Sequence, residues 1–369
     1  VFRYEEEALM RDRAAPALSD MERAIVAYLQ RDGRIPFRTL AAELGVTETT
    51  VYRRTQQLMD AGYFRILGVV DPLRLGDGHV VLAGISCDPT MARQVAAALA
   101  ARAEMRFVAL VTGTFDVVCE LVAPDRAHLT KLLVEILPAI PGLRTINTSW
   151  VLHTYLTNFL WDMPALAEPH PDADAPTDER VGDEETDGDP IPQDGVQAAD
   201  LSRMNGIELD EIDGEVIRLL QEDGRMSYAQ IASALGLTES TARRRTLRLL
   251  KSSYVRVVAV SNPFLLGFED VVLIWFKVDL RRLAEVTAAL SRLTPVRYLS
   301  RTAGAVDLVA EALFHDHTEL FAFLNGPLAT IVGIREVLIS FELALYKRAH
   351  RRFDGAHRYE GSSPESIEE

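Results

Sequence analysis

The sequence predicts an α+β protein made of two copies of one unit, each a winged or simple helix-turn-helix followed by a ferredoxin-like βαββαβ domain, with a disordered acidic linker between the copies. Three observations lead there. The phrase TETTVYRRT at 47–55 returns as TESTARRRT at 238–246, and the whole chain around it repeats at a constant offset of 191 residues, as from Thr47 to Thr238. Each phrase follows a glycine turn and precedes a Leu-rich run that closes on a tyrosine. Beyond each run, short apolar stretches of strand and helix character alternate.

The helical module occupies 18–64. Ser19 or Asp20 can cap a first helix whose Ile25, Val26 and Leu29 recur at helical spacing until RDGR at 31–34 ends it. A second helix runs from about Phe37 to Leu44, Gly45 supplies the tight turn, and Thr47 caps a third. Val51, Leu58 and Met59 turn to the core, which leaves Thr49, Thr50, Tyr52, Arg53 and Gln57 for the outer side. A strand-like stretch over 65–72 then leads away.

The second domain spans 65–160. Strands at 80–86, 105–113, 116–122 and 143–156 are separated by helices at 91–102 and 128–137, which is the βαββαβ order. Two helices cover one face of such a sheet, so the other face needs a partner. From 162 to about 205 the chain is Pro, Asp, Glu, Gly and Ala, too poor in apolar groups to offset the entropy of ordering. It is read as a solubilising spacer. At Leu209 the programme restarts: a second helix-turn-helix at 208–255 and a second sheet domain at 256–350, with a disordered tail at 351–369.

The net charge of −15 is segmental. Residues 162–200 carry thirteen Asp/Glu against the single Arg180, and the last twelve residues add a further −3, so the two units together are balanced and basic helices within them are compatible with a polyanionic partner. Cys87 and Cys119 lack metal-ligand spacing, so the expectation is two reduced, mostly buried thiols and no metal or cofactor. No apolar run reaches the length of a membrane span and the N-terminal stretch lacks a signal-peptide pattern, which leads to the expectation of a cytoplasmic, nucleoid-associated protein. His79, His128, His153, His315 and His317 show no catalytic spacing, so no enzyme is expected.

A helix-turn-helix joined through D-P-x-x-L-G at 71–76, or N-P-x-x-L-G at 262–267, to a βαββαβ domain carrying G-x-x-D resembles the Lrp/AsnC, or feast/famine, transcription regulators. The resemblance covers about 18–160 and again 208–350. It implies double-stranded DNA as partner, read by Thr47, Thr49, Thr50, Tyr52, Arg53, Arg54 and Gln57 in the first copy and by Thr238, Ser240, Thr241, Arg243, Arg244, Arg245 and Arg248 in the second. Arginine suits that role because its planar fork donates two hydrogen bonds to a guanine edge. The second set is the more basic, so it is expected to supply more of the salt-dependent affinity for an imperfectly palindromic operator.

The resemblance also places a small-molecule effector, such as an amino acid, at Gly113, Thr114, Asp116 and Thr148, and at Gly304, Ala305 and Asp307. On residues alone, GTFD and GAVD are equally well Gly-Asp hairpin turns. In the family one chain carries one unit and two chains pair through their sheets, so this chain is expected to form an intramolecular pseudo-dimer, with higher homo-oligomers as family behaviour. The competing class is a tetrapyrrole enzyme similar to the siroheme decarboxylases, which pair two related units.

Overall fold

The computed structural model describes residues 18–70, 72–75, 78–156, 209–252, 254–349 and 351–353. The acidic segment at 162–205, expected to be disordered, lies outside the described residues, as does the tail from 354 onward; at 351–353, also expected to be disordered, the chain is ordered, because Arg351 and Arg352 pair with Arg348 and Lys347 and Phe353 is buried. In the first module, helices α1 (Asp20–Arg31), α2 (Phe37–Glu43) and α3 (Glu48–Asp60) form the helix-turn-helix. Ser19 caps α1 in a reciprocal box with Glu22, and Thr47 caps α3 by accepting the Thr50 N–H, so orphan amides at both N-termini are satisfied by side-chain oxygens. The second module repeats this with α6 (Glu211–Glu222), α7 (Tyr228–Leu235) and α8 (Glu239–Lys251), and Thr238 again caps the third helix.

In the first unit the strands are β1 (Phe64–Val70), β2 (His79–Cys87), β3 (Met105–Val111), β4 (Val117–Ala123) and β5 (Leu143–Leu156); helices α4 (Ala92–Ala100) and α5 (Arg126–Lys131) lie between them. The second unit supplies β6 (Val255–Ser261), β7 (Asp270–Val278), β8 (Val296–Ala303), β9 (Leu308–Phe314) and β10 (Ile334–Arg348), with α9 (Leu283–Leu290), α10 (His317–Phe323) and a two-residue β11 (Arg351–Arg352). A short helical turn at Pro72–Leu75, unmarked by any periodicity, links β1 to the sheet domain.

The unpaired sheet face expected from sequence is buried by the other copy. Within each unit the order is β3-β4-β2-β5 and β8-β9-β7-β10, and the last strands are long enough to serve two neighbours. The first part of β5 pairs with β2 and its end, from Trp150, pairs with β8; β10 pairs first with β7 and then, from Glu342, with β3. Eight strands therefore close into a ring, which leaves neither unit with an open sheet edge on those strands. Alternation along β2 shows both burials. Val81, Ala83 and Ile85 join the core beneath α4 and α5, while Val80 and Leu82 join the interior shared with Leu273, Trp275 and Val309 of the other copy.

The helical modules are shared in the same manner. β1 and β6 form an antiparallel ribbon in which Leu67 stands opposite Val258, its own equivalent 191 residues later, so a pseudo-twofold axis passes between them. Val257 and Ala259 complete the core of the first module, and Val70 joins the core of the second. Gly224 tucks under this ribbon: a Cβ there would lie 2.9 Å from the Leu67 carbonyl carbon and 3.0 Å from the Ile66 oxygen. Gly224→Ala is expected to cost about 1–3 kcal/mol through overpacking and to lower the melting temperature. Gly236→Ala meets nothing within 4 Å, though its φ of +66° carries a backbone cost of its own, so comparing the two melts separates contact from backbone strain.

Candidate functional sites: two recognition helices and two glycine-aspartate loops

The third helix of each module buries one face and presents another. Val51, Thr55 and Leu58 face inward on α3, and Ala242, Thr246 and Leu249 do so on α8. Thr49, Tyr52 and Arg53 are exposed in the first copy, as are Ser240, Arg243, Arg244 and Arg248 in the second. Thr47 and Thr50 share a 2.8 Å hydroxyl contact at the start of α3, and Thr238 contacts both Ser240 and Thr241 at the start of α8. Those cap threonines are occupied in shaping the helix N-terminus. That terminus itself, with its positive dipole end, is suited to a phosphate. Tyr52 packs edge-on against Phe37 with ring centroids 5.9 Å apart, which fixes its ring while leaving it 54% exposed.

The arginines divide into two kinds. Arg54 lies 3.6 Å from Glu22 on α1 and reaches Gln57 at 3.4 Å. Its equivalent Arg245 donates to Asp210 at 2.8 Å and Asp213 at 2.9 Å, which raises its pKa through those hydrogen bonds. Arg248 also bonds Asp213. Glu22 and Asp213 are equivalent positions, so one inter-helix tie is built twice. The resemblance gives all seven residues of each set a DNA-facing role; the structure keeps Arg53 and Arg244 outward and turns Arg54, Arg245 and Arg248 toward acids of their own module. The acid at the third helical position of α1 and α6 was the available signal.

The loops RDGR at 31–34 and EDGR at 222–225, read from sequence only as helix ends and markers of duplication, cross between copies. Asp32 and Asp223 each accept the N–H two residues on at 2.8 Å, shaping the turn. The Gly33 N–H then donates to the Val257 carbonyl at 2.8 Å and Gly224 to Ile66 at 2.9 Å, equivalent bonds in opposite directions. Arg34 donates to the Gly224 and Met226 carbonyls at 3.1 and 3.0 Å, while Arg225 donates to the Ile35 carbonyl at 2.7 Å. Burial, and then the charge of Arg34 beside it, pull the Arg225 pKa below its ordinary value.

The glycine-aspartate loops also lie between copies. The Asp116 carboxylate accepts the Cys87 N–H at 2.8 Å and Asp307 accepts that of Val278 at 2.9 Å, so both acids lock a corner of their own sheet. Gly113, at φ +96°, comes within 3.4 Å of the Ser340 hydroxyl as judged by an added Cβ, and Gly304 packs still more tightly on Ser149, the equivalent serine. Thr114, Gly304 and Ala305 are exposed. Thr148 stands on β5 opposite Ala83, and its neighbour Ser149 is the residue against Gly304, so the first copy's strand serves the second copy's loop. Ser149 and Ser340 were not singled out by sequence reasoning, because the exchange between copies that brings them there has no local signature.

The five of the eight histidines weighed above have neighbours: His79 packs on Trp150, His128 on Glu104, His153 on Tyr155, His315 on Glu319 and His317 on Asp270. Cys87 and Cys119 are buried free thiols, and burial pushes Cys119 up to about 12. Among the described residues, no helix is long and apolar enough to cross a membrane and no group of three or more His, Cys, Asp or Glu is placed to hold a metal.

Inside the strand ring lies a paired ionic cluster. Arg106 bonds Glu120 and, at equivalent positions, Arg297 bonds Glu311. Arg348 adds a bidentate grip on Glu311 at 2.7 and 3.2 Å, and Tyr298 donates to Glu120 at 3.2 Å across the units. The space left beside them is about 30 Å³, room for roughly two waters.

Two helix-turn-helix modules held over a sheet assembly, each with an exposed hydroxyl and arginine helix, define a DNA-binding regulator class. The chain belongs to the Lrp/AsnC family of transcriptional regulators: residues 18–59 and 209–250 match the AsnC-type helix-turn-helix domain, and 80–160 and 271–351 match the Lrp/AsnC ligand binding domain. An uncharacterized HTH-type transcriptional regulator of Pyrococcus abyssi is 36% identical over 153 residues, 41% of this chain and 97% of that protein. The HTH-type transcriptional regulator FL11 of Pyrococcus furiosus is 32% identical over 139 residues, 37% of this chain and 91% of its own. Each such relative thus has the length of one unit. The siroheme decarboxylase NirDL superposes over 89% of this chain and 92% of its own with a TM-score of 0.55; at 14% identity that likeness is one of fold.

Proposed function

We propose that the chain is a sequence-specific DNA-binding regulator that acts as a fused pseudo-dimer on an asymmetric operator, in the cytoplasm on the nucleoid. The observation that carries this is the pseudo-twofold placement of two exposed but chemically different recognition faces, Thr49-Tyr52-Arg53 and Ser240-Arg243-Arg244. A two-chain dimer with one gene reads both half-sites with identical side chains. Here an aromatic ring faces one half-site where a guanidinium faces the other. The glycine-aspartate loops are the proposed effector site, Gly113, Thr114 and Asp116 with Thr148 in the first unit and Gly304, Ala305 and Asp307 in the second, where Gly113 lies beside Ser340 of the other unit and Gly304 beside Ser149. Because Asp116 and Asp307 already hold backbone N–H groups, an amino-acid ligand is expected to contact the loop backbone and the opposing strand first.

The test is selection of DNA from a random library by the full-length chain, followed by gel shifts over a salt series. Enriched duplexes should hold two dissimilar half-sites, and log K should fall linearly with log salt. Enrichment of no motif would overturn sequence-specific recognition in favour of non-specific compaction. The tetrapyrrole reading draws on the fold likeness to NirDL. The internal space of about 30 Å³ is far below the several hundred Å³ of a usual ligand pocket, which weighs against a buried macrocycle there. A shifted absorption spectrum on adding siroheme would favour it.

A further inference from the structure

We propose that Arg34 and Arg225 are positioning residues that fix the distance and phase between the two recognition helices, and so decide which spacing of operator half-sites the protein accepts. The proposal rests on the DNA-reading function above. Neither arginine is on a recognition helix, and both spend their donors on carbonyls of the opposite module.

The geometry is reciprocal in the ring each arginine covers and in the carbonyl it takes at the equivalent position, Met226 for Arg34 and Ile35 for Arg225, and Arg34 adds the Gly224 carbonyl. Arg34 lies over the Tyr228 ring at 5.2 Å, and Arg225 lies over the Phe37 ring at 4.0 Å; Phe37 and Tyr228 open the equivalent second helices α2 and α7. Each guanidinium therefore grips the loop and the second helix of the other copy. Those second helices pack directly against the recognition helices, so a shift at the ring is passed on to α3 or α8. The ribbon of β1 and β6 alone is a two-stranded hinge, and an isolated pair of strands twists readily. Two further tethers placed symmetrically about the axis at Leu67 and Val258 remove that freedom. Planarity matters here, because a guanidinium can bond two carbonyls while stacking on a ring, whereas an ammonium offers a point charge.

Adjacent half-sites on one face of B-DNA repeat every 10–10.5 base pairs. A rigid pair of readers therefore accepts one spacing and rejects an insertion of half a turn. The experiment has two arms on the full-length chain. Spin labels at Arg38→Cys and Ala229→Cys, exposed equivalent sites on α2 and α7, report the inter-module distance without DNA, since Cys87 and Cys119 are buried. Gel shifts compare library-selected duplexes with the same duplexes carrying about five extra base pairs between half-sites.

Wild type is expected to give one narrow distance distribution and at least a tenfold loss of affinity on insertion. R34A/R225A should at least double the width and reduce the insertion penalty to under threefold. R34K/R225K keeps both charges and covers the case in which the alanine pair does not fold; it should move both readouts in the same direction. An unchanged width in the folded variants overturns the proposal, as does a broadened distribution with the spacing preference intact. Failure of the wild type to bind any duplex overturns the DNA reading itself, and the distance arm keeps that outcome separate.

Discussion

Glu311→Gln is expected to destabilise the protein by about 3–5 kcal/mol, the largest loss for any single polar change, measured as a lower urea midpoint at unchanged slope. Glu311 is 1% exposed and receives Arg297 and both terminal nitrogens of Arg348, which are 4% and 3% exposed. Removing its charge takes from Arg297 and Arg348 the carboxylate they share inside the ring and leaves Arg348 the more distant Glu342, at 3.6 Å. The half-exposed pair Lys277–Glu336, 2.7 Å apart, is the control, and breaking it should cost no more than about 1 kcal/mol. A loss below that figure at Glu311 would mean that other groups or water replace the carboxylate.

The same cluster sets a pH dependence. Glu342 replaces Val151 of the first unit and sits 3.6 Å from Arg348. Burial, and then the charge of Glu311, push its pKa well above the ordinary glutamate range, against the pull of the two arginines. An acid whose folded pKa is raised binds more protons folded than unfolded, so its contribution is complete below the unfolded value near 4.5 and diminishes as pH rises above it. Glu342→Gln should therefore flatten the decline in stability between about pH 5 and 8, measured as the difference between variant and wild-type melts. Glu311 has the opposite sign: burial is outweighed by Arg297 and Arg348, and its depressed pKa yields stability that is lost as pH falls.

Arg244→Ala and Arg53→Ala are expected to weaken DNA binding by roughly 5- to 150-fold each, the worth of about 1–3 kcal/mol for a well-made base contact, with little change in melting temperature. Both side chains are exposed at equivalent places on α8 and α3. Arg54→Ala and Arg245→Ala should instead lower the melting temperature, because each removes an inter-helix tie to Glu22 or to Asp210 and Asp213. The excess basic charge of the second helix is therefore partly spent at home, and the difference in salt slope between the modules should be smaller than a count of arginines implies. Equal melting losses and no binding loss for Arg53→Ala would remove it from the recognition face.

Much of this fold was legible in the residues. Periodicity located β5 at 143–156 to the residue, and the cap threonines Thr47 and Thr238 marked where the third helices begin. Duplication explained why one sheet face had no local partner. What was hidden has a common physical cause: contacts between copies join residues more than 150 positions apart, and no local pattern encodes them. Arg34 with Gly224, Gly304 with Ser149 and Tyr298 with Glu120 all belong to this group. For Arg34 with Gly224 the signal was the retention of Gly, Asp and Arg in both loops, where a solitary loop would need none of them. That adjacent arginines must divide follows from helical spacing, but which of them turn inward does not, since an acid on a neighbouring helix decides where a long side chain ends.

The closed ring of strands has a consequence for synthesis. β5 ends at Leu156 and the partner of its last residues, β8, begins at Val296, so the first sheet leaves the ribosome with no mate for the end of that strand. At about 5–20 residues per second the wait is roughly 7–30 s, long beside most folding steps. During that interval Val80, Leu82, Val118 and Val151 face water on a half-built barrel. The strongly acidic stretch that emerges next is then the nascent chain's immediate neighbour, and its like charges disfavour the meeting of two half-built barrels on one messenger.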